Sequence, residues 1–279
     1  MDNQNHNHKQ EKSEVVSGFV GGVSRALIGH PFDTIKVKIQ THPEVYKSSI
    51  ECLRLTLKEG GFKALYKGVG VPVIANGLIV GTHFHVFNFL EEFLKQHKLE
   101  DFSVNGFVSG AVAGATGSII SSPVEYVRIK MQLANKLDNK KKYNSVLECV
   151  FEIKKNRGTL GLYHGYRITL LREVVGYGCF FTAYKQNMNH DGSMLSKITT
   201  GVVCGFALWG SMYPLDVIKS RVQGELLSTK SHSELYFAKV VHDMYGIRGF
   251  YKGFVPTMIR AVPVNIGIVM SVDYVNRIF

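Results

Sequence analysis

The sequence predicts an all-α membrane protein with six transmembrane helices in three pseudo-symmetric repeats. The first observation is a motif of proline, acid and two bases that begins at Pro31, Pro123 and Pro214. These prolines lie 92 and 91 residues apart (123 − 31 and 214 − 123), which indicates three equivalent units. The second observation is a set of three stretches without Asp, Glu, Lys or Arg, each long enough to be a membrane-helix candidate. They are residues 69–90, 102–124 and 198–215.

Repeat symmetry assigns two spans to each unit, one ending around the proline motif and one following a second motif, which is described below. The predicted helices lie near 14–40, 70–95, 104–132, 166–188, 194–223 and 255–277. The predicted repeats are 14–100, 101–191 and 192–279, preceded by a polar N-terminal extension over 1–13 that is expected to fray. The mean hydropathy of only +0.03 fits helices that face lipid on one side and water on the other.

A second motif, with glycines around an aromatic residue and a base, ends at Gly68, Gly165 and Gly253. It suits a loop that leads into a helix at the membrane interface. The segments before it, 47–58, 143–156 and 231–245, mix charged and apolar residues and predict short amphipathic surface helices. Glycine pairs four residues apart on the odd spans predict close helix packing. They are Gly18 and Gly22, Gly110 and Gly114, and Gly201 and Gly205.

The charges of the proline motif also predict a structure of their own. The acid two residues after each proline and the base five residues after it lie on one helix face, one turn apart. Charges this close to a membrane are expected to pair, because an unpaired charge is costly there. Three acids and three bases at one level of a threefold bundle form a closed ring that can act as a gate. The six residues are Asp33, Lys36, Glu125, Arg128, Asp216 and Lys219.

With P-x-[DE]-x-x-[KR]-x-[KR] intact in all three repeats, the chain resembles the mitochondrial carrier family over roughly residues 14–277. The resemblance implies a multi-pass bundle in the mitochondrial inner membrane that moves solutes by alternating access. It implies that the ring closes the matrix side, where the short amphipathic helices also lie. By resemblance, Asp33 pairs with Arg128, Glu125 with Lys219, and Asp216 with Lys36. Gln40, Gln132 and Gln223 stand where the family braces those pairs.

The resemblance is incomplete at the cytoplasmic side. There the family has an acid and, three residues later, a base near the end of each even span. The corresponding pairs here are Asn88 and Glu91, Lys185 and Met188, and Asp273 and Asn276. Because none of them keeps the acid-then-base order, we expect a weak or unconventional cytoplasmic gate.

The repeat register also predicts a solute site. Seven residues past the second-motif glycines, about halfway along the even spans, stand Ala75, Arg172 and Arg260. Charges inside a membrane that cannot reach an interface are functional candidates. Asn76 directly follows Ala75, and Glu173 directly follows Arg172. Because neighbours on a helix diverge by about 100°, Arg172 and Glu173 are expected to face a ligand rather than each other. The alternative is that the two charges neutralise each other.

These residue types predict the chemistry of the solute. A guanidinium holds a carboxylate by two hydrogen bonds, and a carboxylate holds an amine, so the solute is zwitterionic or cationic. The residues around His30 and Arg260, together with Trp209, are similar to the carnitine/acylcarnitine and basic-amino-acid branch of the family. Trp209 either packs in the bundle or contacts the solute. A carrier of another small metabolite, such as a carboxylate or a nucleotide, is the alternative.

Several other residues are weaker candidates. Arg25 lies in the first span and is a further cavity candidate. His30 either joins the gate as a pH sensor or is a simple hydrogen-bonded histidine. His83 and His85 differ by two positions and face different sides of a helix, which argues against a joint metal site.

Other functional classes fit the sequence less well. No phosphate loop, zinc-protease motif or nucleophile elbow is present, and the four cysteines have no metal-site spacing, so we predict neither an enzyme nor a cofactor. The net charge of +11 allows a nucleic-acid- or lipid-surface-binding protein, but here the repeated bases are tied to acids. The predicted partners are a small solute and an anionic, cardiolipin-like lipid, without nucleic acid, and the predicted state is a monomer.

Overall fold

The computed structural model describes residues 2–97, 102–134, 143, 145–187, 193–227 and 232–278. This described part is helical, without a strand, and confirms the predicted all-α fold. Its six long helices are α1 (Asp2–Thr41), α3 (Gly70–Gln96), α4 (Phe102–Leu133), α6 (Tyr166–Asn187), α7 (Met194–Gly224) and α9 (Phe254–Ile278). Three shorter helices, α2 (Ser49–Leu65), α5 (Val146–Arg157) and α8 (Glu234–Tyr245), stand between the long helices of each repeat.

Five of the long helices begin and end within two residues of the predicted bounds, and α1 does not. It begins at Asp2, so the segment expected to be a frayed extension is part of the first helix. Residues 2–17 contain neither glycine nor proline, so no residue with a strong helix-breaking tendency separates them from the first span.

The six long helices form a closed ring in which each packs against the next, and α1 packs against α9 to complete it. Pro31, Pro123 and Pro214 lie inside α1, α4 and α7, and each helix continues past its proline. Within the described residues, three segments are long and apolar enough to cross a membrane: Gly70–Gln96, Val104–Leu133 and Ile198–Gly224. They contain most or all of the uncharged stretches seen in the sequence.

The bundle is apolar outside and charged inside. Large apolar side chains such as Leu78 on α3, Phe206 on α7 and Ile259 on α9 are exposed on the outer surface, as suits contact with lipid. In contrast, Lys219 and Asp216 are almost completely buried. This inverted distribution explains the low mean hydropathy of a bundle of six long helices.

The three short helices begin in the same way. In each repeat a serine hydroxyl (Ser48, Ser145 or Ser233) accepts a hydrogen bond from the backbone N–H three residues later, which caps the helix. Cys52 on α2 is buried against α1, with its Sγ near the carbonyl oxygen of Ile35. Cys149 on α5 is buried against α4 in the same way, with its Sγ near the carbonyl oxygen of Val127. Burial raises the pKa of both thiols to about 12, so neither is reactive near neutral pH.

The glycines that end the second motif occupy the turns that lead into α3, α6 and α9. Gly68, Gly165 and Gly253 have φ angles of +80°, +75° and +82°, a region that side chains with a Cβ rarely adopt. The predicted loop before a helix is therefore present in all three repeats.

Close approach between α4 and α6 depends on the central glycine pair. A Cβ on Gly114 would lie 2.4 Å from the backbone oxygen of Glu173, and one on Gly110 would lie 2.4 Å from that of Tyr177. The corresponding position in the first repeat is looser, since a Cβ on Gly22 would meet its nearest neighbour at 3.8 Å. The small-residue prediction is thus confirmed most strongly in the repeat that carries Arg172 and Glu173.

We expect Gly114→Ala to lower the melting temperature of the purified protein, because the new methyl group meets backbone that cannot move aside. Overpacking of this kind costs about 1–3 kcal/mol. The control is Gly81→Ala, where nothing lies within 4 Å of the added Cβ and stability is expected to stay the same or to rise by up to about 1 kcal/mol, because alanine favours the helix. Equal melting temperatures for the two variants in a thermal-shift assay would contradict the α4–α6 contact.

Candidate functional site

The acids and bases of the proline motifs meet at one level of the bundle. Three contacts join Asp33 to Arg128, Lys36 to Asp216, and Lys219 to Glu125. The first measures 2.5 Å from Oδ2 to Nη2, and the second measures 2.6 Å from Nζ to Oδ2. Because each contact joins a different two of α1, α4 and α7, these six residues form a closed charge ring. Because these side chains are largely buried, the attraction between the paired charges must offset the hydration that each charge has lost.

The three glutamines that stand nine residues after the motif prolines differ in what they contact. The Gln40 amide donates to Asp216 Oδ2 at 3.1 Å, and its carbonyl accepts from Ser220 Oγ at 2.7 Å. Gln132 instead donates to Thr34 Oγ1 at 3.2 Å, and Gln223 donates to the backbone oxygen of His164 at 3.2 Å. Gln40 therefore contacts an acid of the ring, as the bracing role requires. Gln132 and Gln223 instead donate hydrogen bonds to polar atoms outside the ring.

Arg172 lies between two pairs of the charge ring. Its Nη1 is 2.9 Å from Asp216 Oδ1, and its Nη2 is 2.8 Å from Glu125 Oε2. It also contacts the carboxylate of Glu173, so the expectation that these two neighbours do not pair is wrong. The divergence of adjacent positions fixes the directions of their Cβ atoms, but a long arginine side chain can bend its guanidinium back to a neighbouring carboxylate.

Arg260 makes the corresponding contact on the other side of the ring. Its Nη1 is 2.5 Å from Asp33 Oδ1, so Asp33 holds a second base beside Arg128. Trp209 lies beside these cations, with its ring centroid 3.9 Å from Lys36 Nζ and 5.2 Å from Arg260 Cζ. Both distances suit a cation–π interaction, so the indole contacts the charged interior in addition to its packing role.

The ring and the two arginines line a cavity of about 130 Å³. All six ring residues line it, as do five predicted solute-site residues: Asn76, Arg172, Glu173, Trp209 and Arg260. Ala75, the sixth, is buried and is not part of the lining, because α3 turns its neighbour Asn76 toward the cavity instead. His30 also lines the cavity, and its Nε2 is hydrogen-bonded to the backbone oxygen of Lys67 at 2.8 Å.

Comparison with known proteins agrees with this geometry. A family model described as "Mitochondrial carrier protein" matches residues 9–98, 100–192 and 190–279, and so nearly the whole chain. The chain belongs to the mitochondrial carrier family. It is therefore a transporter rather than an enzyme, and a multi-pass protein of the mitochondrial inner membrane.

Three relatives of this carrier have named solutes. The glutamate/glycine mitochondrial carrier of Schizosaccharomyces pombe is 31% identical over 92% of this chain and 91% of its own length. The mitochondrial ornithine transporter 1 of Rattus norvegicus is 32% identical over 96% of this chain and 95% of its own length. The mitochondrial arginine transporter of Arabidopsis thaliana is 29% identical over 94% and 92%, respectively.

One side of the carrier's cavity contains a residue that the sequence analysis missed. Tyr177, one turn after Glu173, lines the cavity and packs its ring against His83, with centroids 3.7 Å apart. His83 is almost fully buried, and its Nε2 is 3.8 Å from Glu173 Oε2. The imidazole fits because Gly117 has no side chain: a Cβ there would lie 1.9 Å from Nε2. The sequence could have indicated Tyr177 as a cavity residue, because it stands one helical turn after Glu173. His85 is exposed whereas His83 is buried, so the two face different sides of α3, as predicted.

An ion pair joins α3 and α6 of the carrier toward the end of the bundle opposite the charge ring. Lys185 Nζ on α6 is 2.6 Å from Glu91 Oε2 on α3, and Ser109 Oγ on α4 donates to Glu91 Oε1 at 3.2 Å. Lys185 stands where the family has an acid, and Glu91 where it has a base. The pair is thus present with its charges reversed. Met188 and the side chains of Asp273 and Asn276 lie outside the described part of the chain.

Glu91→Lys is expected to lower both the melting temperature and the exchange rate, because two like charges then face each other. Combining it with Lys185→Glu restores the attraction in the opposite sense, and we expect a coupling energy within about 0.5–3 kcal/mol. A double-mutant cycle on the melting temperature measures this coupling. Glu92→Lys, at an exposed neighbouring position, is the control and is expected to have little effect. Additive effects of the two single changes would contradict the pairing.

Proposed function

We propose that this carrier moves an amino acid, a solute with both a carboxylate and a protonated nitrogen, by alternating access. The observation that carries the proposal is Arg172, a buried arginine that lines the cavity and also contacts two acids of the charge ring. The named solutes of the three relatives, which are glutamate, glycine, ornithine and arginine, are all amino acids. The cavity offers both guanidinium groups and a carboxylate to such a solute.

The carboxylate of the solute is expected to bind Arg172 and Arg260. Both guanidinium groups are held by ring acids, Arg172 by Glu125 and Asp216, and Arg260 by Asp33. A bidentate solute carboxylate therefore competes with the ring for the same donors. Each contact transferred to the solute weakens the closed ring, which links solute binding to opening of the matrix side. A ligand shifts such an equilibrium only through interactions that differ between the two states.

The protonated nitrogen of the solute is expected to bind Glu173. One oxygen of this carboxylate contacts Arg172, and the other lies 3.8 Å from His83 Nε2. An ammonium group at Glu173 also gains the face of the Tyr177 ring, which lines the same cavity. Binding at Glu173 removes one of the three acids that hold Arg172, so both charges of the solute act on the same residue.

The carrier is proposed to work as a monomer, in contact with anionic lipid and without nucleic acid. The monomer is supported by the closed ring of helices, which encloses the cavity within one chain. The net charge of +11 supports attraction to a cardiolipin-like lipid. Native mass spectrometry in detergent with added cardiolipin tests both: a monomer with bound lipid is expected, and a stable dimer would contradict the proposal.

Exchange in liposomes tests the solute class. The purified carrier is reconstituted, loaded with one unlabelled solute and offered labelled glycine, glutamate, ornithine, arginine, an acylcarnitine, a dicarboxylate and a nucleotide. Saturable uptake of at least one amino acid is expected. Acylcarnitine also carries both charged groups, so its uptake alone would favour the carnitine alternative. Exchange of the dicarboxylate or nucleotide without any amino acid would overturn the proposal. Empty liposomes run in parallel separate exchange from uniport.

A further inference from the structure

Arg25 differs from the other bases of the cavity. It lies on α1, six residues before Pro31, and its side chain lines the cavity half-buried. Each of the other lysines and arginines in the lining contacts a carboxylate: Lys36, Arg128, Arg172, Lys219 and Arg260. Arg25, in contrast, makes neither a hydrogen bond nor an ion pair with the residues that the structure describes. An unpaired guanidinium inside a membrane protein is costly, which marks it as a functional candidate.

The charges of the lining favour binding of a negatively charged group of the solute. Six bases line the cavity, namely Arg25 and the five paired cations, against four acids: Asp33, Glu125, Glu173 and Asp216. With the histidine neutral, the cavity carries two more positive than negative charges. A solute carboxylate reduces this excess, and Arg25 is the cation that receives it without giving up an existing partner.

The position of Arg25 suits a solute that also reaches Glu173. Arg25 interacts electrostatically with His83 and with Tyr177. These are the two residues that stand beside Glu173, where the protonated nitrogen is expected to bind. It also interacts electrostatically with Arg260, one of the two arginines held by the charge ring. Arg25 therefore lines the cavity within electrostatic range of the nitrogen site and of a ring-linked guanidinium.

We propose that Arg25 binds the solute carboxylate while the charge ring is still closed, before Arg172 and Arg260 are engaged. Arg172 and Arg260 must release an acid of the ring to receive a carboxylate, whereas Arg25 has no acid to release. Arg25 accordingly sets the affinity of the closed state for the solute, and the other two arginines set the opening. This inference rests on the proposed function, in which the solute has a carboxylate.

Exchange kinetics of Arg25 variants test this division of roles. For the amino acid that the wild type carries best, Arg25→Gln is expected to raise KM by about tenfold or more, the size of one charge-assisted contact, with little change in the maximal rate. Arg25→Lys keeps the charge but loses the bidentate geometry and is expected to lie between. Arg54→Gln, at an exposed arginine on α2, is the matched control and should leave both constants unchanged.

Two further readouts separate solute binding from a structural role. Because Arg25 has no acid partner, Arg25→Gln leaves no buried charge alone, and its melting temperature should equal or exceed that of the wild type. Competition by the amino acid and by its carboxamide then probes the carboxylate itself. The wild type is expected to favour the acid over the amide, and Arg25→Gln to lose most of that preference.

The outcomes are distinguishable. An unchanged KM together with an unchanged preference for the acid in Arg25→Gln would overturn the role of Arg25 while leaving the amino-acid function intact. A wild type that carries no amino acid overturns the proposed function instead. In that case, the same acid and amide comparison on the carboxylate solute that it does carry still decides whether Arg25 binds a carboxylate. A lowered melting temperature for both Arg25 variants would assign Arg25 a structural role and contradict the inference.

Discussion

Arg172→Ala is expected to abolish exchange and to lower the melting temperature of the carrier. The change removes the base that Glu125, Glu173 and Asp216 share, and Glu173 and Asp216 are almost fully buried. Removing one partner of a buried ion pair costs about 3–5 kcal/mol, because the remaining charge stays in a dry environment. Exchange is lost as well, since the variant lacks one of the two ring-linked arginines that bind the solute carboxylate, and with it the link from the solute to Glu125 and Asp216.

Two variants control this experiment. Arg167→Ala removes an exposed arginine on the same helix and is expected to leave exchange and stability close to those of the wild type. Arg172→Lys keeps the charge, but a point charge on a flexible stem cannot reproduce the fork that contacts Glu125 and Asp216 at once. We therefore expect it to fold and to retain only a small fraction of the exchange rate. Exchange by Arg172→Ala at the wild-type rate would place the solute site elsewhere.

Asp216→Asn is expected to reduce exchange by at least about 100-fold, which corresponds to the loss of a buried ion pair. Asp216 accepts contacts from Lys36, Arg172 and Gln40, and the neutral amide deprives the buried Lys36 of the carboxylate with which it pairs. Closing the ring then no longer offsets the desolvation of that lysine, so the closed state is disfavoured. Liposome exchange measures the effect.

A second variant separates the ion pair from the fold. Lys36→Gln combined with Asp216→Asn removes both charges of the pair, and we expect it to be more stable than Asp216→Asn alone because the lysine is no longer left unpaired. Exchange should remain low in both. Asp243→Asn, at an exposed position on α8, is the matched control. Normal exchange by Asp216→Asn would show that this pair does not contribute to the gate.

The ring contacts were predictable from the sequence because the repeat fixes the register. Once three equivalent helices are assumed, the acid of one motif and the base of another must come to the same level, as Asp33 and Arg128 do. The same reasoning located Arg172 and Arg260 inside the bundle. Backbone position within a repeat is thus readable from spacing alone, since the membrane leaves few alternatives for a helix of given length.

The ends of long side chains were not predictable in this way. The contact between Arg172 and Glu173, and the different partners of Gln40 and Gln132, depend on rotamers that the three repeats do not share. The ion pair of Glu91 with Lys185 escaped prediction for a different reason. Its charges are exchanged relative to the family pattern, so each residue alone indicated a lost contact, and only the two together restore it.

The packing of α1 against α9 bears on how the carrier is made. Asp33 lies on the first long helix, and Arg260, one of its two partners, lies on the last. Along the chain, the acid therefore precedes this partner by more than 220 residues (260 − 33 = 227), and the wall of the cavity remains open until α9 packs against α1. A chain that stops before α9 lacks both the closing helix and Arg260, so the native cavity can be completed only once α9 is in place.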